Sequence, residues 1–419
     1  MAVPSIVTLP KPTEGDRNPG TRVIVALCVA SFFAVINFIA TSPFYPKMAV
    51  DLHSSVSRLG QVVTIMVVIS AVLGLVVGPL SDRYGYRKPL VAGLAAIAIN
   101  LIGAGLTPSF LPLLGLSILG GLADALVFGM PMAIAGAWFT GAAQRRAISW
   151  SWGSMSGAGI VGVPLLALIG GSTSWRVALI ASGIGAIAAA WYVALAIPRD
   201  LPRIDEPSSD HELLASYLPL FKDPPTLRIY GVSFLRAACW LGLLTYLGSF
   251  LQDELGLSVK QAGLVYTAGG TGFAVGSIVA GRQFLRLSPR AIVAAANVVA
   301  GLAIGTILIG ATLWATLPLL LITSFASAIS GVLIATILAG ESPAGSGTTM
   351  VLNSSLLNFG TAAGAATGGL LIALGGYTAL GVGIPLFAFA AAALALWPAK
   401  RTTRTTTVRS GVIPAHNAD

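Results

Sequence analysis

Charge is scarce in this chain. Only 9% of its 419 residues are Asp, Glu, Lys or Arg, while 55% are hydrophobic, and the mean hydropathy is +0.86. A soluble domain carries about 25% charged residues. There is too little polar side chain here to cover a water-facing surface, so lipid must be the solvent and the bilayer the first partner. Cysteine is scarcer still. Cys28 and Cys239 both lie inside apolar runs, so neither a disulfide nor a thiolate metal site is expected. His53, His211 and His416 are scattered outside those runs, and no metal cluster is expected. No Gly-x4-Gly-Lys-Ser/Thr loop is present, which argues against ATP as the energy source within this chain. No nucleophile stands beside a base, so an enzyme is not expected. The net charge of +9 would point to nucleic acid only if the cations clustered on one soluble face. They fall in short loops instead, and no nucleic-acid partner is expected. The first twenty residues lack the apolar core and cleavage site of a secretory signal. They read as a loose cytoplasmic tail, with the first span serving as an uncleaved insertion signal.

Apolar runs are what the chain has in abundance. A spanning helix needs about 20 mostly apolar residues, and twelve such runs are read: 22–42, 59–80, 89–107, 111–138, 148–170, 176–197, 229–251, 261–281, 291–312, 317–339, 347–373 and 378–397. Residues 198–228 interrupt them with six prolines, six acids and four basic residues, the composition of a hydrophilic linker. The expected fold is an all-α membrane protein of twelve transmembrane helices in two pseudo-symmetric six-helix bundles. The expected parts are a cytoplasmic N-terminal tail 1–21, a bundle 22–197, the cytoplasmic linker 198–228, a second bundle 229–398 and a basic, threonine-rich cytoplasmic tail 399–419.

Lys and Arg in the loops give the orientation. With the N-terminus inside, 19 of the 24 basic residues fall in inside segments. Four fall outside (Lys47, Arg58, Arg176, Lys260), and Arg236 lies within a span. An odd number of spans would reverse the second half and destroy this bias.

The two halves are related in sequence. A shift of 203 residues lays 51–64 on 254–267 without a gap, with Leu, Ser, Val, Gly, Val and Thr coinciding. The same shift puts Gly78 on Gly281, Arg83 on Arg286 and Arg87 on Arg290, but Asp82 on Leu285 and Gly85 on Ser288. Two parallel six-span repeats are a transporter architecture, with the substrate site expected near the midplane between them.

The connection Gly78-Pro79-Leu80-Ser81-Asp82-Arg83-Tyr84-Gly85-Tyr86-Arg87-Lys88 is the most specific motif. Gly85 suits a tight turn, because glycine takes positive φ without steric cost. Arg83, Arg87 and Lys88 suit cytoplasmic headgroups. Asp82 would repel anionic headgroups and so requires a protein partner such as a basic side chain or a helix N-terminus. This pattern resembles the loop between spans 2 and 3 of the major facilitator superfamily, with Tyr86 standing where a basic residue is usual. The resemblance implies a gating loop (Gly78, Asp82, Arg83, Gly85, Arg87, Lys88) that latches the halves in one access state.

Asp124 is the one acid placed deep in a span, near the middle of the fourth. A charge there costs roughly 2.5–3.5 kcal/mol on insertion scales, so it must face the protein interior or a wet cavity. It is either a proton-coupling carboxylate, an anchor for a cationic substrate, or a structural acid bonded to neighbouring helices. Arg236 lies about two turns inside span 7. It can snorkel to the cytoplasmic surface, pair with Asp124 across the halves, or hold an anionic substrate. Asn37, Trp150, Trp152, Trp240, Tyr266, Asn353 and Asn358 are candidates for a cavity wall, each with packing as the plainer role. A mostly apolar cavity with few polar anchors suits amphiphilic compounds. Glu341, near the inner end of span 10, reads as a solvated loop acid rather than a second proton site.

Span 5 holds Gly153, Gly157, Gly159, Gly162 and Pro164. Small residues permit close helix contact, and Pro164 removes a donor and kinks the helix. Gly153, Gly162 and Pro164 also resemble the span-5 signature of proton-coupled antiporters of the superfamily, although the usual Gly-Pro is here Gly-Val-Pro. Ser174-Trp175-Arg176, Tyr246–Leu251 and Asn358-Phe359-Gly360 resemble other spans of the twelve-span drug:proton antiporter branch. One departure stands in span 4. Where that branch often carries an arginine four residues before a glycine, Ser117 precedes Gly121, and Asp124 lies two turns along the same face.

The expected activity is export of a small molecule, drug-like compound or metabolite, by proton antiport through alternating access. The proton gradient supplies the energy and no cofactor is needed. A proton symporter or facilitator for uptake, and a non-transporting sensor on the same scaffold, are the alternatives. The resemblance places the protein in a bacterial plasma membrane, and a monomer suffices.

Overall fold

In hydrocarbon every backbone N–H and C=O must be satisfied within its own segment, and the helix does this. The computed structural model describes residues 19–139, 141–198, 218–280, 288–310, 312–343 and 346–397, without the side chains of 19, 78–84, 136–137, 141–142, 145 and 346–347. Most of the linker and of both tails lies outside these residues. The elements are α1 (Pro19–Ile39), a 3-10 turn (Ser42–Phe44), α2 (Tyr45–Asp51), α3 (Val56–Tyr84), α4 (Arg87–Leu106), α5 (Phe110–Val127) and α6 (Met130–Trp138). They continue with α7 (Gly141–Gly157), a π turn (Ala158–Gly162), α8 (Val163–Ser172), α9 (Trp175–Ala196) and α10 (Pro224–Asp253). The chain ends with α11 (Val259–Ala280), α12 (Pro289–Gly310), α13 (Leu313–Glu341) and α14 (Ser346–Leu396).

Eleven helical stretches among the described residues are long and apolar enough to cross a membrane, and the last, Thr348–Leu396, runs for 49 residues. As one rod it would measure about 74 Å, more than twice the ~30 Å hydrocarbon core. It does not run straight. Gly375 (φ −158°, ψ 24°) and Gly376 (φ 65°, ψ −158°) leave the helical region, and Leu371 packs against Gly383. Twelve residues apart on a straight helix would be ~18 Å apart, so the two arms of α14 form a hairpin. Counted as two, they complete the twelve crossings.

Two spans are less regular than their sequence implied. The fourth was read as one helix over 111–138. It breaks at Phe128–Gly129, ahead of Pro131 in the first turn of α6, whose missing N–H cannot continue the ladder. The fifth passes through the π turn Ala158–Gly162, directly before Pro164 at the start of α8.

The duplication is visible in the backbone. The shift of 203 residues carries the start of α3 to the start of α11, and carries Phe110 and Trp138, the limits of span 4, to Leu313 and Glu341, the limits of α13. His53 (φ 49°) and Gly256 (φ 65°), also 203 apart, both take the left-handed conformation that ends the turn before those helices. Each half closes its last span on its first in the same way. The Trp175 indole donates to Asp51 Oδ2 at 2.6 Å, and the Tyr377 hydroxyl to Asp253 Oδ2 at 2.7 Å. Both pairs are separated by 124 residues.

The halves meet through small residues and exposed carbonyls. Ser42 donates to the carbonyls of Leu244 (2.9 Å) and Thr245 (3.0 Å), and its hydroxyl lies 2.7 Å from that of Tyr266. Gln252 donates to the Pro43 carbonyl (2.7 Å) and Ser57 to that of Gly369 (2.6 Å). These bonds close one face of the molecule, that of the 40–58 and 253–259 connections. Deeper in, Val63, Met66 and Val67 of α3 form an apolar cluster with Ala362 and Ala365 of α14. On the other seam, a Cβ on Gly159 would stand 3.4 Å from the Cα of Gly270, so the π turn and α11 cross almost backbone to backbone. Further along α7, away from the closed face, Gly157 and Gly153 have no atom within 4 Å of a Cβ.

Candidate functional site

Asp124 stands on α5, fourteen residues from each end of the fourth span, and is 4% exposed. Its Oδ2 accepts a hydrogen bond from Ser70 Oγ of α3 at 2.7 Å. Ser70 in turn accepts from Asn358 Nδ2 of α14 at 3.0 Å. Asn358 belongs to the other half. The carboxylate is thus the end of a donor chain that begins across the seam between the bundles. Bonds to an ionised acceptor are roughly twice as strong as neutral ones, so the strength of this link depends on whether Asp124 carries its charge.

One turn away lies a second polar group within the N-terminal half. Asn100 Nδ2 donates to Asn37 Oδ1 at 2.9 Å, and Asn37 Nδ2 donates to the Gly120 carbonyl at 3.2 Å. They border a cavity of about 20 Å³, enough for one water molecule. Ser117 also lines it and bonds back to the Leu114 carbonyl at 2.6 Å.

Arg236 stands on α10 and is 9% exposed. It does not reach the cytoplasmic end of its helix, and it does not pair with Asp124. Its Nη1 donates to the Ser327 carbonyl of α13 at 3.3 Å, and its guanidinium lies against Gly331, where a Cβ would meet Cζ and both Nη atoms at 3.3–3.4 Å. Ser327 is the residue that the 203-residue shift lays on Asp124. Asp124 and Arg236 therefore sit at the same level of the two bundles. Ser233, one turn before Arg236, donates to Asn353 Oδ1 at 2.8 Å, which draws Asn353 onto the same wall. Trp240, one turn after, is 5% exposed and packs in the C-terminal core.

The other wall candidates are dispersed. Tyr266 belongs to the closed face through Ser42. Trp150 and Trp152 are 56% and 47% exposed, and Trp150 shares a face of span 5 with the exposed Val161, Leu165 and Leu168. Glu341 pairs with Arg290 at the surface. In the gating loop, Gly85 has the positive φ expected of it (89°), and Arg87 donates to the Ala194 carbonyl. Asp82, Arg83 and Gly78 lie outside the described side chains.

Span 5 contributes an acceptor that the sequence did not announce. In an unbroken helix the N–H of residue 164 would bond to the carbonyl of Ile160. Pro164 has no N–H, and Thr267 of α11 donates to that carbonyl at 3.1 Å. The proline thus leaves an acceptor open at the crossing of the two halves.

The arrangement is two helical bundles about a common seam, with one ion in each. A model of the Major Facilitator Superfamily matches residues 27–282 and again 247–414. The chain belongs to the Major Facilitator Superfamily. Among curated superfamily members, it is 26% identical over 364 residues to the MFS-type transporter YwfA of Bacillus subtilis (strain 168), covering 85% of this chain and 87% of YwfA. It is 23% identical over 256 residues to YceJ of the same organism, covering 60% of this chain and 65% of YceJ, slightly under two thirds of that relative. Solved superfamily structures share the fold at low identity. A bacterial homologue of the human lysosomal transporter Spinster, inward-facing and unoccupied, superimposes with a TM-score of 0.71 at 16% identity, covering 91% of this chain and 95% of that one. The nucleoside transporter NupG gives 0.75 at 15%, covering 90% and 98%. The human organic anion transporter MFSD10 gives 0.65 at 19%, covering 90% and 100%. The protein is a multi-pass superfamily transporter, not an enzyme.

Proposed function

We propose that this transporter exports a small molecule, drug-like compound or metabolite, in exchange for protons, by alternating access to a site between its halves. The observation that carries the reading is the chain Asn358–Ser70–Asp124. A buried carboxylate at mid-membrane is expensive to keep without a task. Here it is bonded to the element that must move when the halves rock, so taking up or losing a proton alters a contact across the seam. The resemblance of span 5 to proton-coupled antiporters supports the export direction.

With 19 basic residues on the side of the N-terminus, both termini face the cytoplasm of a bacterial plasma membrane. The closed face is then the outer one, and the conformation described is inward-facing. The loop around Asp82 would engage in the opposite, outward-facing state. One chain contains every residue of this scheme.

Everted membrane vesicles carrying a pH-sensitive dye provide the test. Lipophilic cations, sugars, nucleosides, amino acids and organic anions are added in turn, to wild type and to Asp124→Asn. The expected outcome is lumen alkalinisation with one class, reduced on the order of 100-fold in the variant. Acidification would establish symport instead. Transport without proton movement would make Asp124 a structural acid, and silence from correctly inserted protein would favour a sensor.

A further inference from the structure

We infer that Arg236 is an anion-binding residue of the transport site, so that the transported compound carries a carboxylate or a similar oxyanion. The inference rests on the transporter reading above and names the substrate class of its C-terminal wall.

A guanidinium does not give up its proton in a protein. Burying one without a counter-charge is strongly unfavourable. Arg236 is buried at mid-membrane, yet the described residues bring no carboxylate within ion-pair distance of it; the pair they do form, Arg290–Glu341, lies at the surface. Its one hydrogen bond is the 3.3 Å contact from Nη1 to the Ser327 carbonyl. Nε is sealed from solvent and has no partner. Nη2 also bonds to no protein atom, but it is not among the sealed, unpaired atoms and so reaches open space.

The unused atoms are the informative ones. Nε–H is closed off by the protein, so an oxyanion reaches the group through Nη2, the charged N–H that is both unpaired and accessible. Gly331 lets the guanidinium lie flat against bare backbone, while the Ser327 carbonyl takes the opposite corner. The group is thus held by one end and one face, with Nη2 left over. Asn353 adds a second donor to the same wall. Its Oδ1 is occupied by Ser233, and its Nδ2 makes no bond and is likewise not sealed. One charged N–H and one amide N–H are thus left unpaired on this wall, two donors that suit an oxyanion.

Purified protein in detergent is unfolded thermally with benzoate, succinate, citrate and inorganic phosphate at millimolar concentration, with benzamide and benzylamine as neutral and cationic counterparts. At least one oxyanion is expected to raise the apparent Tm by about 2 °C or more. Benzamide and benzylamine should leave it unchanged. Arg236→Gln should abolish the rise, and Arg236→Lys should keep part of it. If Arg236→Gln fails to fold, Gly331→Ala serves, since its methyl group meets the guanidinium at 3.3 Å and should blunt the same response. Silence from every oxyanion, or a rise that persists undiminished in these variants, overturns the inference. No proton gradient is present in this experiment, so its failure leaves proton-coupled export standing, and failure of the vesicle assay leaves the anion site standing.

Discussion

The N-terminal half buries a carboxylate, Asp124, on its fourth span. The C-terminal half has Ser327 at that position and brings a guanidinium to it from its first span. Around these residues the two halves agree closely, in helix limits, in the left-handed turns at His53 and Gly256, and in the aromatic-to-acid bond that closes each bundle. Duplication has kept the scaffold and let the buried charge diverge. The consequence is a difference in chemistry across the seam. One half holds a group that can gain or lose a proton, and the other a group whose charge is permanent. The carboxylate reaches across the seam through Ser70 and Asn358, whereas the guanidinium is bonded only within its own half.

The comparison can be broken most severely where the backbones touch. A side chain at Gly270 would meet Ile160 at 2.7 Å and its backbone nitrogen at 2.9 Å. Gly270→Leu is expected to cost at least about 1–3 kcal/mol of overpacking and to abolish transport, read as a lowered Tm together with lost uptake into everted vesicles. Gly153→Ala, on the same seam but facing no atom within 4 Å, should leave both unchanged.

A smaller effect is expected at the carboxylate's link. Asn358→Ala removes one hydrogen bond across the seam, worth about 1 kcal/mol, or roughly a fivefold change in the balance of the two access states. Thiol labelling of a cysteine placed at Ser57, on the closed face, would read that balance. Its dependence on pH should weaken in Asn358→Ala and Ser70→Ala and survive in Ser70→Thr. An unaltered pH response in both alanine variants would reduce Asp124 to a local acid.

The smallest effect concerns the surface. Arg290 pairs with Glu341, and both side chains are substantially exposed, at 35% and 49%. The first half answers with Arg87, 203 residues earlier, which bonds to the Ala194 carbonyl instead. Glu341→Gln should shift stability by less than about 1 kcal/mol and leave transport intact. A large loss of coupling would restore Glu341 as a second proton site.

Much of the fold was legible because lipid simplifies the code: apolar length marks the spans and cations mark the sides. The break between spans 347–373 and 378–397 was visible in this way, and the repeat over 51–64 in residues that coincide under the shift. The Trp175–Asp51 and Tyr377–Asp253 bonds were not. The shift lays Trp175 on Thr378 and Asp51 on Glu254, so the geometry persisted while the residue types slid by one place. The site was legible only in part. Asp124 stood out as an intramembrane acid, but helices that are apolar all round give no moment to orient them, and its bond to Ser70 required the packing. The same limit left three destinations open to Arg236. It also left Trp150 among the wall candidates, although it shares a face of span 5 with the exposed Val161, Leu165 and Leu168.

Pro164 has a wider consequence. The contact it opens, from Thr267 to the Ile160 carbonyl, uses a backbone acceptor and so depends on the side chain of residue 267 but not on that of residue 160. Substitution at residue 160 therefore leaves the acceptor in place, even though the Ile160 side chain itself packs at the crossing with Gly270. A change at 164 would return an N–H to share that carbonyl, so the proline strengthens an inter-bundle contact to which it contributes no atom of its own.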